Sequence, residues 1–155
     1  MSIAFTSPQH RARVGFTVVE MIVVVAFIVI LAGIGAPLVS RQISHSRVNG
    51  AAHVLVGSLE QALSLAGRQR RPVRVTVNAA QRTLVIADRG TGQSIAQHAF
   101  GPASDYKVET LSSSPASVDI LPHGIVTAAA TLTVGIGGYS RQVTLTRGGQ
   151  VRLQP

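Results

Sequence analysis

One carboxylate stands where the chain is otherwise uncharged. Glu20 is the only charged residue between Arg13 and Arg41, and the twenty residues from Met21 to Ser40 carry no charge. An ionised carboxylate costs about 2.5 to 3.5 kcal/mol at the centre of a bilayer and less toward its surface, so Glu20 calls for a cationic partner or a purpose of its own. The remaining residues with chemical capacity do not converge. His45 and His53 lie eight residues apart, close enough in direction on a helix to suggest a metal pair, but no cysteine and no nearby Asp completes a ligand set. Ser, His and Asp all occur, yet no Gly-x-Ser-x-Gly elbow positions a nucleophile. Gly90-x-Gly92 and Gly135-x-Gly137 lack the further glycines and the helix start that phosphate binding needs, and read as turns. The expectation is a protein with no catalytic residue, no metal and no cofactor.

Arginine is the second resource. Fourteen Lys+Arg, thirteen of them Arg, face six Asp+Glu for a net charge of +8, and residues 41–155 alone carry twelve basic and five acidic side chains, or +7. Arg68, Arg70, Arg71 and Arg74 form a cluster, and Arg147 and Arg152 stand near the C-terminus. Such groups can hold phosphates, pair with acidic neighbouring subunits, or simply be solvated. Aromatic residues make up only 4% of the chain, which leaves few platforms for stacking bases. The absence of cysteine excludes disulfides, thiolate metal sites and a Cys nucleophile. The length of 155 residues allows one small domain with an appendage.

The element that must carry Glu20 is the apolar run behind it. Twenty uncharged residues rich in Val, Ile and Ala are long enough, at about 1.5 Å per residue, to cross the hydrocarbon core of a bilayer as a helix. A secretory signal peptide with Arg11 and Arg13 as its basic region competes, but its apolar region is about 7 to 15 residues and ends at an Ala-x-Ala-like site. A buried core helix is the other alternative, and a fold of this size hides an all-round apolar helix poorly. Gly33, Gly35 and Pro37 are positions at which the segment could kink.

Gly15-Phe16-Thr17-Val18-Val19-Glu20, with a short basic leader before it and an apolar helix behind it, resembles the class III signal of type IV pilins and pseudopilins. The resemblance implies that a prepilin peptidase cuts between Gly15 and Phe16 and methylates the new amine of Phe16. It also implies what Glu20 is for, which is to neutralise the Phe16 amine of a neighbouring subunit in a filament, where low dielectric strengthens the ion pair. Arg11 and Arg13 before the run are balanced by Arg41 and Arg47 after it, so orientation rests on the resemblance, which implies a cytoplasmic leader and an outer soluble domain.

Beyond Val39 the apolar residues Val48, Ala52, Leu55, Leu59, Ala62 and Ala66 recur at three- and four-residue spacing, which predicts an amphipathic helix with Arg47, Asn49, His53, Ser58, Glu60 and Gln61 pointing elsewhere. Gly67 is placed to end it. The period then shortens to two. Strands are expected at Val73–Val77, Thr83–Ala87, Tyr106–Leu111, Thr131–Ile136, Arg141–Thr146 and Gln150–Leu153, with turns at Gly137-Gly138 and Arg147-Gly148-Gly149 and a looser connection over residues 101–117. The fold class is therefore α+β, type IV pilin-like: a long N-terminal helix packed on antiparallel sheet.

That order, with the Arg47-Val48-Asn49-Gly50-Ala51-Ala52 stretch, Ile120-Leu121-Pro122-His123-Gly124 and the terminal Gly-Gly-Gln-Val-Arg, is similar to the GspH/FimT branch of pseudopilins. The organisation it implies is a leader at 1–15, a transmembrane helix at 16–39, its amphipathic continuation at 40–67 and a β-rich periplasmic domain at 68–155. The first functional expectation is a minor pseudopilin of a type II secretion system, anchored in the inner membrane and drawn into a periplasmic pseudopilus with other pseudopilins. The alternative is a FimT-like minor pilin that binds DNA for uptake. The DNA-binding Gly-Arg-x-Arg element of such pilins would align with Gly149-Gln150-Val151-Arg152, where only Arg152 matches a basic position; Arg147 and the 68–74 cluster would assist. An anchored binding domain that is never processed is a third possibility.

Overall fold

The structure, a computed structural model, describes residues 15–154, apart from the side chains of residues 34–38. The basic leader with Arg11 and Arg13, and the side chain of Pro37, thus lie outside the described residues. The described residues divide into two compact units, the first ending at Val39 and the second beginning at Ser40.

Helix α1 (Val18–Gln69) begins in the first unit and supplies the core stripe of the second. Its start is capped by Thr17, whose hydroxyl accepts the Glu20 N–H at 3.2 Å while its carbonyl accepts the Met21 N–H at 3.2 Å. In the first unit every described large apolar side chain from Phe16 to Leu31 is between 46% and 77% exposed. Among the described residues no helix is long and apolar enough to cross a membrane; the apolar run expected to do so continues through residues 34–38, whose side chains lie outside the described set.

In the second unit the helix behaves as its spacing dictates. Val48, Ala52, Leu55, Leu59, Ala62 and Ala66 are all fully buried, joined by Ala51. Two expectations need correction. Ser58 does not point away from the core but is buried, at no polar cost because its hydroxyl donates to the Val54 carbonyl at 2.7 Å. Gly67 does not end the helix: it runs two residues further, to Gln69, and Arg70 takes the left-handed conformation with φ 52°. A long side chain carries that conformation at some cost, and Pro72 follows to prevent any continuation.

Eight strands follow: β1 (Val73–Asn78), β2 (Thr83–Asp88), β3 (Ser94–Ala99), β4 (Thr110–Ser114), β5 (Ser117–Ile120), β6 (Ala130–Ile136), β7 (Tyr139–Leu145) and β8 (Val151–Gln154). They form two four-stranded antiparallel sheets, β3-β2-β1-β5 and β4-β6-β7-β8. The helix stripe, the inward residues of both sheets and Phe100 make one core. Alternation along β1, with Val73, Val75 and Val77 buried between exposed Arg74 and half-buried Thr76, shows a sheet with one face dry and one wet.

The expected strand at Tyr106–Leu111 is displaced: pairing starts at Thr110 and continues through Ser112–Ser114 against Thr133–Thr131. Residues 101–117 are consequently less loose than their Gly, Pro and Ser content suggests. β3 and β5 carry no strand signal of their own in the sequence. β3 has an almost wholly exposed edge sequence with Ala and His at its inward positions, and β5 is only four residues long.

The turns follow their glycines. Ile136 pairs with Tyr139 across Gly137-Gly138, and φ of 58° at Gly137 alone makes a two-residue hairpin of the type that matches strand twist. Thr146–Gln150 and Leu121–Ile125 close two loops of the same design, each with a glycine at the fourth position in the left-handed region, Gly149 at φ 77° and Gly124 at φ 81°. The two loops touch. A Cβ at Gly149 would stand 2.5 Å from the Gly124 carbonyl oxygen and 3.3 Å from the Leu63 side chain, so position 149 needs glycine for both conformation and space.

Candidate assembly and binding surfaces

The first candidate surface is the N-terminal end of α1. Gly15, Phe16 and Thr17 precede the helix in non-helical backbone, Gly15 and Phe16 are both exposed, and no atom would obstruct a Cβ at Gly15. The Gly15–Phe16 bond is thus in non-helical, accessible chain. Glu20 is exposed in the first helical turn. There a carboxylate is favoured by the partial positive charge of the helix N-terminus. Thr17-Val18-Val19-Glu20 also has the Thr-x-x-Glu form of a capping box, of which the Thr17 half is made. This local role was readable from the sequence and was missed because the same four residues sit inside the signal-like motif.

The second candidate surface is the arginine set, and the structure divides it. Arg74 lies on the wet face of β1 opposite Asp119 of β5, donating from Nε at 2.7 Å and from its terminal nitrogen at 3.1 Å. Arg89 closes on the same carboxylate at 3.0 Å. Arg74 holds the Asp119 carboxyl below its usual range by hydrogen bond and charge, against the opposing effect of burial, and Asp119 in turn raises the Arg74 guanidinium. Arg71 reaches Asp88 at 3.8 Å. The Asp88 carboxyl is held low first by the backbone N–H groups of Thr91 and Gly90, which donate to it at 3.0 and 2.7 Å.

Two members of the 68–74 cluster are therefore neutralised within the fold. Arg68, Arg70, Arg147 and Arg152 are exposed and form no ion pair among the described residues. Arg147 stands in the β7–β8 turn, where its carbonyl accepts the Val126 N–H at 2.9 Å. Arg152 lies on edge strand β8 and donates to the Gln150 side chain at 3.0 Å.

A polar cluster escaped the sequence reading entirely. Asn49 Oδ1 accepts both the Tyr139 hydroxyl at 3.1 Å and Arg141 Nε at 3.0 Å, joining α1 to β7. His45 stacks on the Tyr139 ring with centroids 3.9 Å apart, and the Arg141 guanidinium lies 5.6 Å from the same ring centre. His45 is thus part of an aromatic stack, while His53 is exposed; among the described residues no group of His, Cys, Asp or Glu could hold a metal ion. Only separation in the chain hid this cluster, since its partners are about ninety residues apart.

A long N-terminal helix packed on antiparallel sheets, with an exposed apolar segment at its start, defines the type IV pilin-like class. Two solved structures share this fold: the type IV minor pilin FimU of Pseudomonas aeruginosa, at 19% identity and TM-score 0.59 over 72% of this chain and 90% of that one, and the minor pseudopilin EpsH from the Type 2 Secretion System of Vibrio cholerae, at 18% identity and TM-score 0.57 over 70% and 96%. Residues 51–149 match the family model for the type II transport protein GspH, and the chain belongs to that family. No curated protein matches the sequence. The family and fold give the chain the structural role of a minor pseudopilin or pilin.

Proposed function

We propose that the chain is a minor pseudopilin of a type II secretion system, trimmed after Gly15, methylated on Phe16, anchored in the inner membrane by the apolar start of α1, and incorporated with other pseudopilins into a periplasmic pseudopilus. The observation that carries this reading is the contrast of exposure. The apolar side chains from Phe16 to Leu31 are left uncovered by the described residues, and an exposed apolar surface of this extent is covered by lipid or by other proteins. The accessible Gly15–Phe16 bond supports the processing step. In the filament, Glu20 meets the Phe16 amine of a neighbour.

Because Glu20 also serves its own helix start, substitution must separate the two roles. Glu20→Gln keeps a capping-box side chain and removes the charge, whereas Glu20→Ala removes both. If the ion pair sets register, both variants insert in the membrane and both fail to co-purify with partner pseudopilins. Normal incorporation of Glu20→Gln would leave only the capping role. Mass spectrometry of the native N-terminus tests the processing directly: the expected product begins at methylated Phe16, and one beginning at Met1 removes the filament reading.

The FimT-like reading retains one specific support, the four exposed arginines without acidic partners among the described residues. If they bind DNA, residues 41–155 retard a duplex at low salt and the affinity falls steeply as salt rises. Loss of retardation in a variant with Arg147 and Arg152 replaced by Gln would locate the contact. No retardation at low salt ends this alternative.

A further inference from the structure

The first turns of α1 in the second unit and the β6–β7 hairpin enclose a groove of about 480 Å³, lined among others by Arg41, Ser44, His45, Glu109, Gly137 and Tyr139. None of the assembly chemistry above uses it. Opposite charges line this one groove without meeting, since neither Arg41 nor Glu109 forms an ion pair among the described residues. Glu109 is held in place through Oε2, which accepts the Gly137 N–H at 2.7 Å and leaves Oε1 able to take another donor. The aromatic wall is equally fixed, with His45 stacked on Tyr139 and the Tyr139 hydroxyl on Asn49.

We propose that this groove holds the headgroup of a zwitterionic membrane phospholipid, a phosphodiester joined to a primary ammonium, with the phosphate on Arg41 and the ammonium on Glu109. A simple anion would gain Arg41 but face Glu109, and a simple cation would meet the reverse. A ligand carrying both charges offers each of the two residues a counter-charge. The planar guanidinium suits a phosphate, and a carboxylate oxygen suits a hydrogen-bonding ammonium.

The location of the groove argues for a lipid source. This step rests on the membrane reading of the apolar segment. Arg41 is the first charged residue after the uncharged run and follows directly on its end at Ser40, one residue or about 1.5 Å of helix rise away. That is the depth at which phosphates stand and at which Tyr and Arg side chains anchor.

The test uses the full chain reconstituted in vesicles of equal parts phosphatidylcholine, phosphatidylethanolamine and phosphatidylglycerol, with flotation to verify insertion. The lipids retained after extraction into a maltoside detergent are then counted by native mass spectrometry. Phosphatidylethanolamine is expected to be enriched roughly tenfold over phosphatidylcholine, whose quaternary ammonium donates no hydrogen bond, a preference equivalent to about 1.4 kcal/mol. Glu109→Gln abolishes the enrichment while keeping an acceptor for Gly137, and Arg41→Ala, which removes the phosphate contact shared by both lipids, lowers the retention of each. Equal retention of phosphatidylglycerol, or enrichment that survives Glu109→Gln, overturns the proposal. If soluble glycerophosphoethanolamine displaces the lipid at equal concentration, the site belongs to a free phosphate ester and the lipid assignment falls. A chain that floats without lipid preference overturns this inference alone, and one that does not float overturns the anchored reading with it.

Discussion

The two stretches of α1 are built from similar residues and meet opposite fates. From Val18 to Leu31 the apolar side chains point in every direction and stay exposed, whereas from Val48 to Ala66 they are confined to a stripe and are buried by the chain's own sheets. The second stretch folds on what the chain provides, through burial worth about 25 cal/mol per Å² of apolar surface. The first is left uncovered by the described residues and depends on what surrounds it. Substitutions in the two stretches should therefore read out in different experiments.

The largest expected effect is in the buried stripe. Leu55→Ala or Leu59→Ala removes a fully buried side chain and should destabilise the second unit by about 2 to 5 kcal/mol, seen as a fall in thermal or urea midpoint. Ile28→Ala, in the exposed stretch, should leave that midpoint unchanged and weaken vesicle flotation. Equal loss of midpoint from both would erase the contrast. Next is Gly149→Ala, which imposes the left-handed penalty of about 1 to 2 kcal/mol together with a clash against the Gly124 carbonyl. It should lower the midpoint and expose the β8 amides to hydrogen exchange.

A smaller effect is expected at Asp119. Its pKa is depressed in the folded state, so its contribution is present above the ordinary carboxylate value of about 3.9 and is lost as pH falls through the lower folded value. Asp119→Asn should cost under about 1 kcal/mol near neutral pH, because Arg74 and Arg89 are both about half exposed. It should also flatten the loss of stability on acidification below about pH 4. The smallest effect belongs to the exposed stretch: Thr17→Val removes the cap and should fray the first turn by about 1 kcal/mol, visible as faster amide exchange at Glu20 and Met21 without change in the midpoint of the second unit.

Those contrasts also explain how much the sequence disclosed. The stripe was legible apart from Ala51 and Ser58, which are buried beside it, because a three- and four-residue spacing of apolar side chains has one geometric solution, and β1, β2, β6 and β7 were legible because Val, Ile, Leu and Thr alternate in them. β3 was not, since an edge strand with Ala96 and His98 facing inward carries little alternation. The split into two sheets was hidden because pairing partners such as Arg74 and Asp119 are far apart in sequence and no local pattern assigns β5 to β1. At the candidate sites, the exposed Gly15–Phe16 bond and the arginines could be named in advance. Which arginines are neutralised could not, because Asp88 and Asp119 reveal their partners only once the strands are in register.

Asn49 has a mechanical consequence. One side-chain oxygen receives donors from two residues of the same strand, Tyr139 and Arg141. Sliding the helix along sheet β4-β6-β7-β8 by even part of a turn must break both bonds together and unstack His45 from Tyr139. A load applied along the helix would therefore reach β7 through a fixed point of engagement, instead of letting one layer slip over the other.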